Sequence, residues 1–173
     1  MRTIHIDQSS RCCGFCIMDD SIPIHHGRLK PMGSTAAARL MEMFHDLLGL
    51  MDAYGPEEMT FEKILLVLHG KNGRLQNGPR TVEAMAGATL ICKMAAARAG
   101  IPYYEVAPST VKLAATGNGR AGKSDVWRCV AQAMGVDYRE IIDDNHADAL
   151  AQGLAWGNPT FRKSIIEARG GKA

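Results

Sequence analysis

The sequence predicts one α/β domain, and three observations predict it. Between Thr3 and Leu29 short apolar and β-branched segments follow one another with only turn residues between them, the pattern of an antiparallel meander. After that, amphipathic helical stretches alternate with apolar strands. The third is size: 173 residues with 46% hydrophobic content suffice for one well-buried core and are too few for two comfortable ones.

Taken in order, Thr3-Ile4-His5-Ile6 is a β-prone run that leads into Asp7 and the polar turn Gln8-Ser9-Ser10. The Asp7 carboxylate therefore stands at a strand end, where open α/β sheets collect their ligands. The plainer alternative is a solvated aspartate that opens a turn. Gly14 to Met18 reads as a second strand, Asp19-Asp20-Ser21 as a turn, and Ile22 to Leu29 as a third strand. Ser34 can cap a helix that carries Leu40, Phe44, Leu47 and Met51 on one face and ends at Tyr54-Gly55-Pro56. A fourth strand spans Met59 to Val67, and Glu62 interrupts it. A carboxylate within such a run needs a metal ion or a lysine to compensate it, unless Glu62 and Lys63 lie at the exposed start.

The Gly- and Asn-rich basic loop His69 to Gly78 comes next, then a helix from Pro79 to Ala99 whose Ala86, Gly87, Ala88 and Ala95 to Ala97 permit close packing on a sheet. Gly100 ends it, and Ile101 to Ala107 gives a fifth strand. From Pro108 the chain turns helical, breaks at Thr116 to Gly122, and resumes as helices from Lys123 to Met134 and from about Asp143–Asn145 to Trp156. Residues 1–157 are expected to form the folded unit and 158–173 a basic, loosely ordered tail.

The net charge is only +2, but its cations are grouped. Lys112, Arg120, Lys123 and Arg128 form one cluster, Lys71, Arg74 and Arg80 a second, and Arg162, Arg169 and Lys172 a third. Such grouping suits a polyanionic partner, set against the ordinary case of scattered solvated cations. Five cysteines, an odd number, with no apolar leader at the N-terminus, point to a reducing compartment and a cytoplasmic protein. No apolar run approaches the ~20 residues that cross a bilayer. Cys13 and Cys16 are an odd number of residues apart in a strand and face opposite ways, which favours core cysteines over a zinc pair.

Two stretches carry candidate chemistry. Gly117-Asn118-Gly119-Arg120-Ala121-Gly122-Lys123-Ser124 satisfies the Walker A pattern, yet a helix rather than a buried strand precedes it, so a P-loop NTPase is the minor reading. The last helix opens with Asp143-Asp144-Asn145-His146-Ala147-Asp148. Helix capping accounts for the early acids but not for Asp148, which has Ala149-Leu150-Ala151 after it. Asp144 and Asp148 share a face, as do Asn145 and Asp148. Together, Asp7, Glu62, Asp148 and either Asp144 or Asn145 bring oxygen donors from separate elements, as a pair of Mg²⁺ ions requires for phosphodiester chemistry.

Pro108-x-x-Val111-Lys112-x-x-x-Thr116-Gly117-x-Gly119-x-Ala121-x-Lys123 closely resembles the signature segment of the RuvC Holliday junction resolvases, and Ala147-Asp148-Ala149-Leu150-Ala151 resembles their last motif. Ile6-Asp7-Gln8-Ser9-Ser10 and Phe61-Glu62 fall in the family's order and approximate spacing, so the resemblance covers about residues 3 to 156. It implies an RNase H-like fold with a five-stranded mixed sheet flanked by helices, acting as a homodimer on branched DNA by paired, Mg²⁺-dependent nicking of four-way junctions. Mn²⁺ is expected to substitute, with two ions per site. Asp7, Glu62 and Asp148 would be the metal-binding catalytic carboxylates, Lys112 and Lys123 would contact DNA, and the glycine turn would belong to the DNA-binding surface. Lys71, Arg74 and Arg120 complete the expected DNA contacts.

This sequence departs from the pattern twice. Three residues before Asp148 the bacterial enzymes carry Asp or His, whereas Asn145 stands here. Asp144 is therefore expected as the fourth ligand, with Asn145 as substitute and His146 as an outside choice. The loop after Glu62 has no aromatic residue from Ile64 to Asn77 where the bacterial enzymes carry a wedge, and Leu68 or Leu75 are the apolar candidates. The expectation is a structure-selective endonuclease of phage or prophage type working in the host cytoplasm. The alternative is a junction-binding protein with weak or no cleavage.

Overall fold

In a computed structural model of the chain, residues 1–9, 11–64, 68–69, 74–75 and 79–168 are described. The elements run β1 (Arg2–Asp7), β2 (Cys13–Asp19), β3 (Ile22–Leu29), α1 (Ala36–Tyr54), β4 (Glu58–Glu62), β5 (Leu68–His69), β6 (Arg74–Leu75), α2 (Pro79–Ala99), β7 (Tyr103–Val106), α3 (Pro108–Thr116), α4 (Lys123–Met134), a 3₁₀ turn at Tyr138–Glu140, α5 (Asp144–Gly157) and α6 (Pro159–Ala168). A five-stranded sheet has the order β3-β2-β1-β4-β7, and β5 and β6 form a separate two-stranded ribbon. The meander β1–β2–β3 is antiparallel, whereas β4 pairs parallel with both β1 and β7, so the sheet is mixed as expected.

Alternation along the strands sorts the side chains into two cores. Ile4, Ile6, Phe15, Ile17, Met59 and Phe61 turn to one face, where Met43, Leu47 and Met51 of α1 and Ile91, Cys92 and Ala95 of α2 cover them. Cys16, Met18 and Val106 turn to the other, against Val111, Val126 and Val130 and the small residues Ala147, Ala149 and Ala151 of α5. Cys13 and Cys16 lie in opposite cores, as their spacing requires.

The differences from the sequence reading are local. The α1 cap is Thr35 rather than Ser34, its hydroxyl accepting from the Ala38 N–H at 3.1 Å. β4 ends at Glu62, so this carboxylate closes the strand instead of interrupting it, and residues 65–67 of the expected strand lie outside the description. The segment from Pro159 to Ala168, read as part of a loose tail, is helix α6. Its Ile165 is buried, and Arg162 grips both oxygens of Glu58 at 2.9 and 2.8 Å while lying over the Trp156 ring. Arg162 thus serves an internal ion pair, not the basic surface to which sequence clustering assigns it. Among the described residues no helix is long and apolar enough to cross a membrane.

Candidate active site

β1 and β4 run parallel in the middle of the sheet, so their last residues, Asp7 and Glu62, finish side by side at the carboxyl end of these two strands. Both belong to the face that α5 covers, the face of His5 and Thr60. Asp7 is only 7% exposed. Opposite it in β2 stands Gly14, where an added Cβ would lie 1.8 Å from the Asn145 carbonyl oxygen and 2.8 Å from the His146 nitrogen. The missing side chain lets the first turn of α5 settle directly on the sheet beside Asp7. Asp143 caps that helix, its carboxylate accepting the His146 N–H at 3.0 Å and taking the Arg28 guanidinium at 2.8 Å. Asp144 and Asp148 follow one turn apart.

The carboxylates act on one another. Burial pushes Asp7 well above the ordinary carboxylate range, and the negative charges of Glu62 and Asp148 push it further. Asp148 rises to about 6, first through burial and then through Glu62 and Asp144, while Lys123 and Lys112 pull it back. Asp144 forms an ion pair with Lys123, at the start of α4. Glu62, Lys112 and Asp148 line a cleft of about 170 Å³ together with Pro108, Val111 and Gln152.

Of the other expected site residues, Asn145 donates its amide to the Cys12 carbonyl at 3.0 Å and so ties α5 to the start of β2. His146 accepts the Ile142 N–H on Nδ1 at 3.2 Å and meets His26 through Nε2 at 2.8 Å. With Nδ1 occupied as an acceptor, the neutral ring carries its proton on Nε2 and donates to His26. Both side chains thus have hydrogen-bond partners outside the carboxylate group. Arg120 is exposed on the turn between α3 and α4. Lys71 and the side chains of Arg74, Leu68 and Leu75 lie outside the described residues. The Walker-like segment joins helix to helix: Gly117 is the left-handed C-cap of α3 and Gly122 precedes α4. A phosphate-cradling loop leaves a buried strand, so the NTPase reading lacks its context.

Sequence reading missed the polar scaffold beneath the carboxylates. His5, wholly buried, joins Thr3 Oγ1 at 2.8 Å to Thr60 Oγ1 at 2.7 Å, and Thr60 donates to Gln152 Oε1 at 3.2 Å. Gln152 Nε2 then donates to the Ile6 carbonyl at 2.9 Å. This chain fixes α5 against β1 and β4 one turn beyond Asp148. The available signal was a polar residue inside an apolar run, at His5 and again at Gln152. Gln8 was missed as well, and a polar residue in a turn gave no signal.

The donor set fits hard divalent cations: oxygen ligands only, from three elements, with charges whose repulsion a cation would relieve. Among the described residues no three His, Cys, Asp or Glu side chains are already gathered as a metal-holding group. Among the described residues a groove of about 590 Å³ is lined by Met1, Trp156 and Arg162 near α6 and includes none of these carboxylates.

Comparison with known proteins places these features in a family. The family model described as crossover junction endodeoxyribonuclease RuvC matches residues 3–156. A protein of that description from Gloeobacter violaceus is 32% identical over 160 residues, covering 89% of this chain and 86% of its own. One from Anaeromyxobacter sp. strain K is 35% identical over 155 residues, covering 87% and 77%. Among solved structures, T. thermophilus RuvC in complex with Holliday junction substrate superposes with a TM-score of 0.76 at 21% identity, over 98% of this chain and 96% of that one. The yeast mitochondrial Holliday junction resolvase gives a TM-score of 0.58 at 12% identity, over 98% and 82%.

Proposed function

The chain belongs to the RuvC family of crossover junction endodeoxyribonucleases, with their RNase H-like fold, and from that premise we propose how its own residues cut DNA. It is a Holliday junction resolvase, and its cleavage is metal-dependent. The observation that supports the site assignment is that Asp7 and Glu62 end the parallel strand pair on the face covered by α5, which carries Asp148; burial first, and their mutual repulsion second, hold Asp7 and Asp148 above the usual carboxylate range.

Asp7, Glu62 and Asp148 would hold the metal, with Asp144 as the fourth ligand. Two Mg²⁺ ions bound there, replaceable by Mn²⁺, would supply the Lewis acidity that lowers the pKa of water and offsets charge on the leaving oxygen. The carboxylates orient that water by accepting its hydrogen bonds. Lys112 and Lys123 hold the scissile phosphate from the α3 and α4 side, and Lys123, paired with Asp144 in the free protein, would release that carboxylate to serve as a ligand. Arg120, Lys71 and Arg74 contact the flanking backbone. Two copies act together so that paired nicks resolve the junction. Exposed Leu90 and Met94, one turn apart on α2 and 56% and 44% accessible, support a dimer face there, which sedimentation of the pure protein tests.

A labelled four-way junction incubated with the protein in Mg²⁺ tests the reading. Paired nicks are expected, and Asp7→Asn abolishes them while junction binding persists, because a ligand and a charge repelling phosphate are both removed. A retarded band without nicks from the unmodified protein means a binder instead. Asp144→Ala should lower the cleavage rate ~10–100-fold, whereas Asn145→Ala should cost mainly stability, about 1 kcal/mol for the bond to Cys12. The reverse order would move the fourth ligand to Asn145.

A further inference from the structure

We infer that Gln8 is a positioning residue for the Glu62 carboxylate, a role that rests on the metal-site reading above. The parallel pairing of β1 with β4 ends at Ile6 and Phe61, and β1 itself ends at Asp7. Beyond that point the backbone of Glu62 has a strand on one side only. There it stands opposite Val106 of β7, and the next residue, Lys63, donates its N–H to the Val106 carbonyl at 2.8 Å.

On the β1 side the Gln8 side chain takes the place of a strand. Its Oε1 accepts the Glu62 N–H at 3.0 Å, and its Nε2 donates to the Glu62 carbonyl at 2.6 Å. One primary amide thus engages both backbone groups of a single residue and adds a rung where the ladder has run out. The same Nε2 donates to Thr89 Oγ1 of α2 at 3.1 Å, and Thr89 is only 8% exposed. The clamp is therefore braced by a packed helix and is not a loose surface contact.

Glu62 is the last residue of β4, where a strand frays unless its polar backbone groups are met. Fixing its φ and ψ from both sides fixes the direction of its Cα–Cβ bond, and so holds the carboxylate toward Asp7. Gln8 acts through Glu62 rather than on the substrate. A glutamine is chemically suited to the task because it offers a donor and an acceptor side by side. A glutamate would keep the acceptor, repel the carbonyl and add charge beside Asp7.

Gln8→Met keeps the length of the side chain and removes the amide. With this variant, junction binding in EDTA should stay within about threefold of the unmodified protein, and the Mg²⁺ concentration giving half-maximal cleavage should rise ~10-fold. Hydrogen exchange at the Glu62 amide should accelerate while that at Thr60, deeper in β4, does not. A merely structural role would lower the melting temperature and leave the Mg²⁺ midpoint in place. An unchanged midpoint with an unchanged Glu62 exchange rate overturns the inference. If Gln8→Met does not fold, Gln8→Glu, which preserves one of the two backbone bonds, is read for the same midpoint shift, and its absence counts equally against the clamp. Glu62→Gln, run in parallel, separates the two ideas. If it cleaves normally, the metal-site reading fails; if it is inactive while Gln8→Met has the original midpoint, only the role of Gln8 fails.

Discussion

His5 is wholly buried between two threonine hydroxyls, and burial lowers its pKa to about 3, so the ring is neutral in the fold. The unfolded chain binds a proton at His5 below about pH 6.5 and the folded chain does not until near pH 3. Its contribution is therefore complete above pH 6.5 and is lost as pH falls through that window, by about 2 kcal/mol at pH 5. His146, lowered to about 4 by burial and by His26, adds in the same direction. Asp7 and Asp148 oppose both, since carboxyls raised in the fold favour acid. Comparing variants isolates the histidine: between pH 7 and pH 5, thermal unfolding of His5→Gln should lose less stability than the unmodified chain by that ~2 kcal/mol. Parallel losses would mean that His5 titrates normally. Glu62 and Asp148 were legible in the sequence because each is an acid in an apolar setting. Gln152 carried the signal of a polar residue in an apolar run but not its partner, the Ile6 carbonyl far away in the chain, and Gln8, in a turn, carried no signal of its bond to Glu62.

α5 brings Asp148 to the sheet, and its approach depends on Gly14 more than on any contact its own side chains make. Its small residues Ala147, Ala149 and Ala151 permit close packing generally, but only at Gly14 would a Cβ meet helix backbone at 1.8 Å, a position no flexible side chain can vacate. Gly14→Ala should therefore displace the first turn of α5, cost about 1–3 kcal/mol, and slow cleavage by up to ~100-fold. Gly49→Ala on α1, where an added Cβ meets nothing within 4 Å, is the control, and should stabilise by ~0.5–1 kcal/mol without touching activity. Equal cleavage by both variants would show that α5 reaches the site by other means. Element types and order could be read from periodicity and turn residues. The close approach could not, because Gly14 sits in a strand whose partner on the other face, α5, follows more than a hundred residues later. α6 was missed for a related reason: its apolar residues are few, and its hold comes from the Arg162 pairing with Glu58 across the fold.

Over the whole molecule, a net charge of +2 conceals an uneven distribution, with a buried-edge acidic cluster flanked by the cations of α3 and α4. That juxtaposition of phosphate-attracting lysines and mutually repelling carboxylates suits a protein that brings DNA to metal ions, and it lies in a small cleft, apart from the wider groove beside α6. The site can be viewed directly by growing crystals in Mn²⁺ and measuring anomalous scattering at the manganese edge. Manganese peaks are expected between the carboxylates of Asp7, Glu62 and Asp148, with Asp144 completing the set once it has left Lys123, and they should disappear in Asp7→Asn. Manganese bound away from Asp7, or occupancy unaffected by Asp7→Asn, would contradict the assignment of these carboxylates as the metal-binding centre.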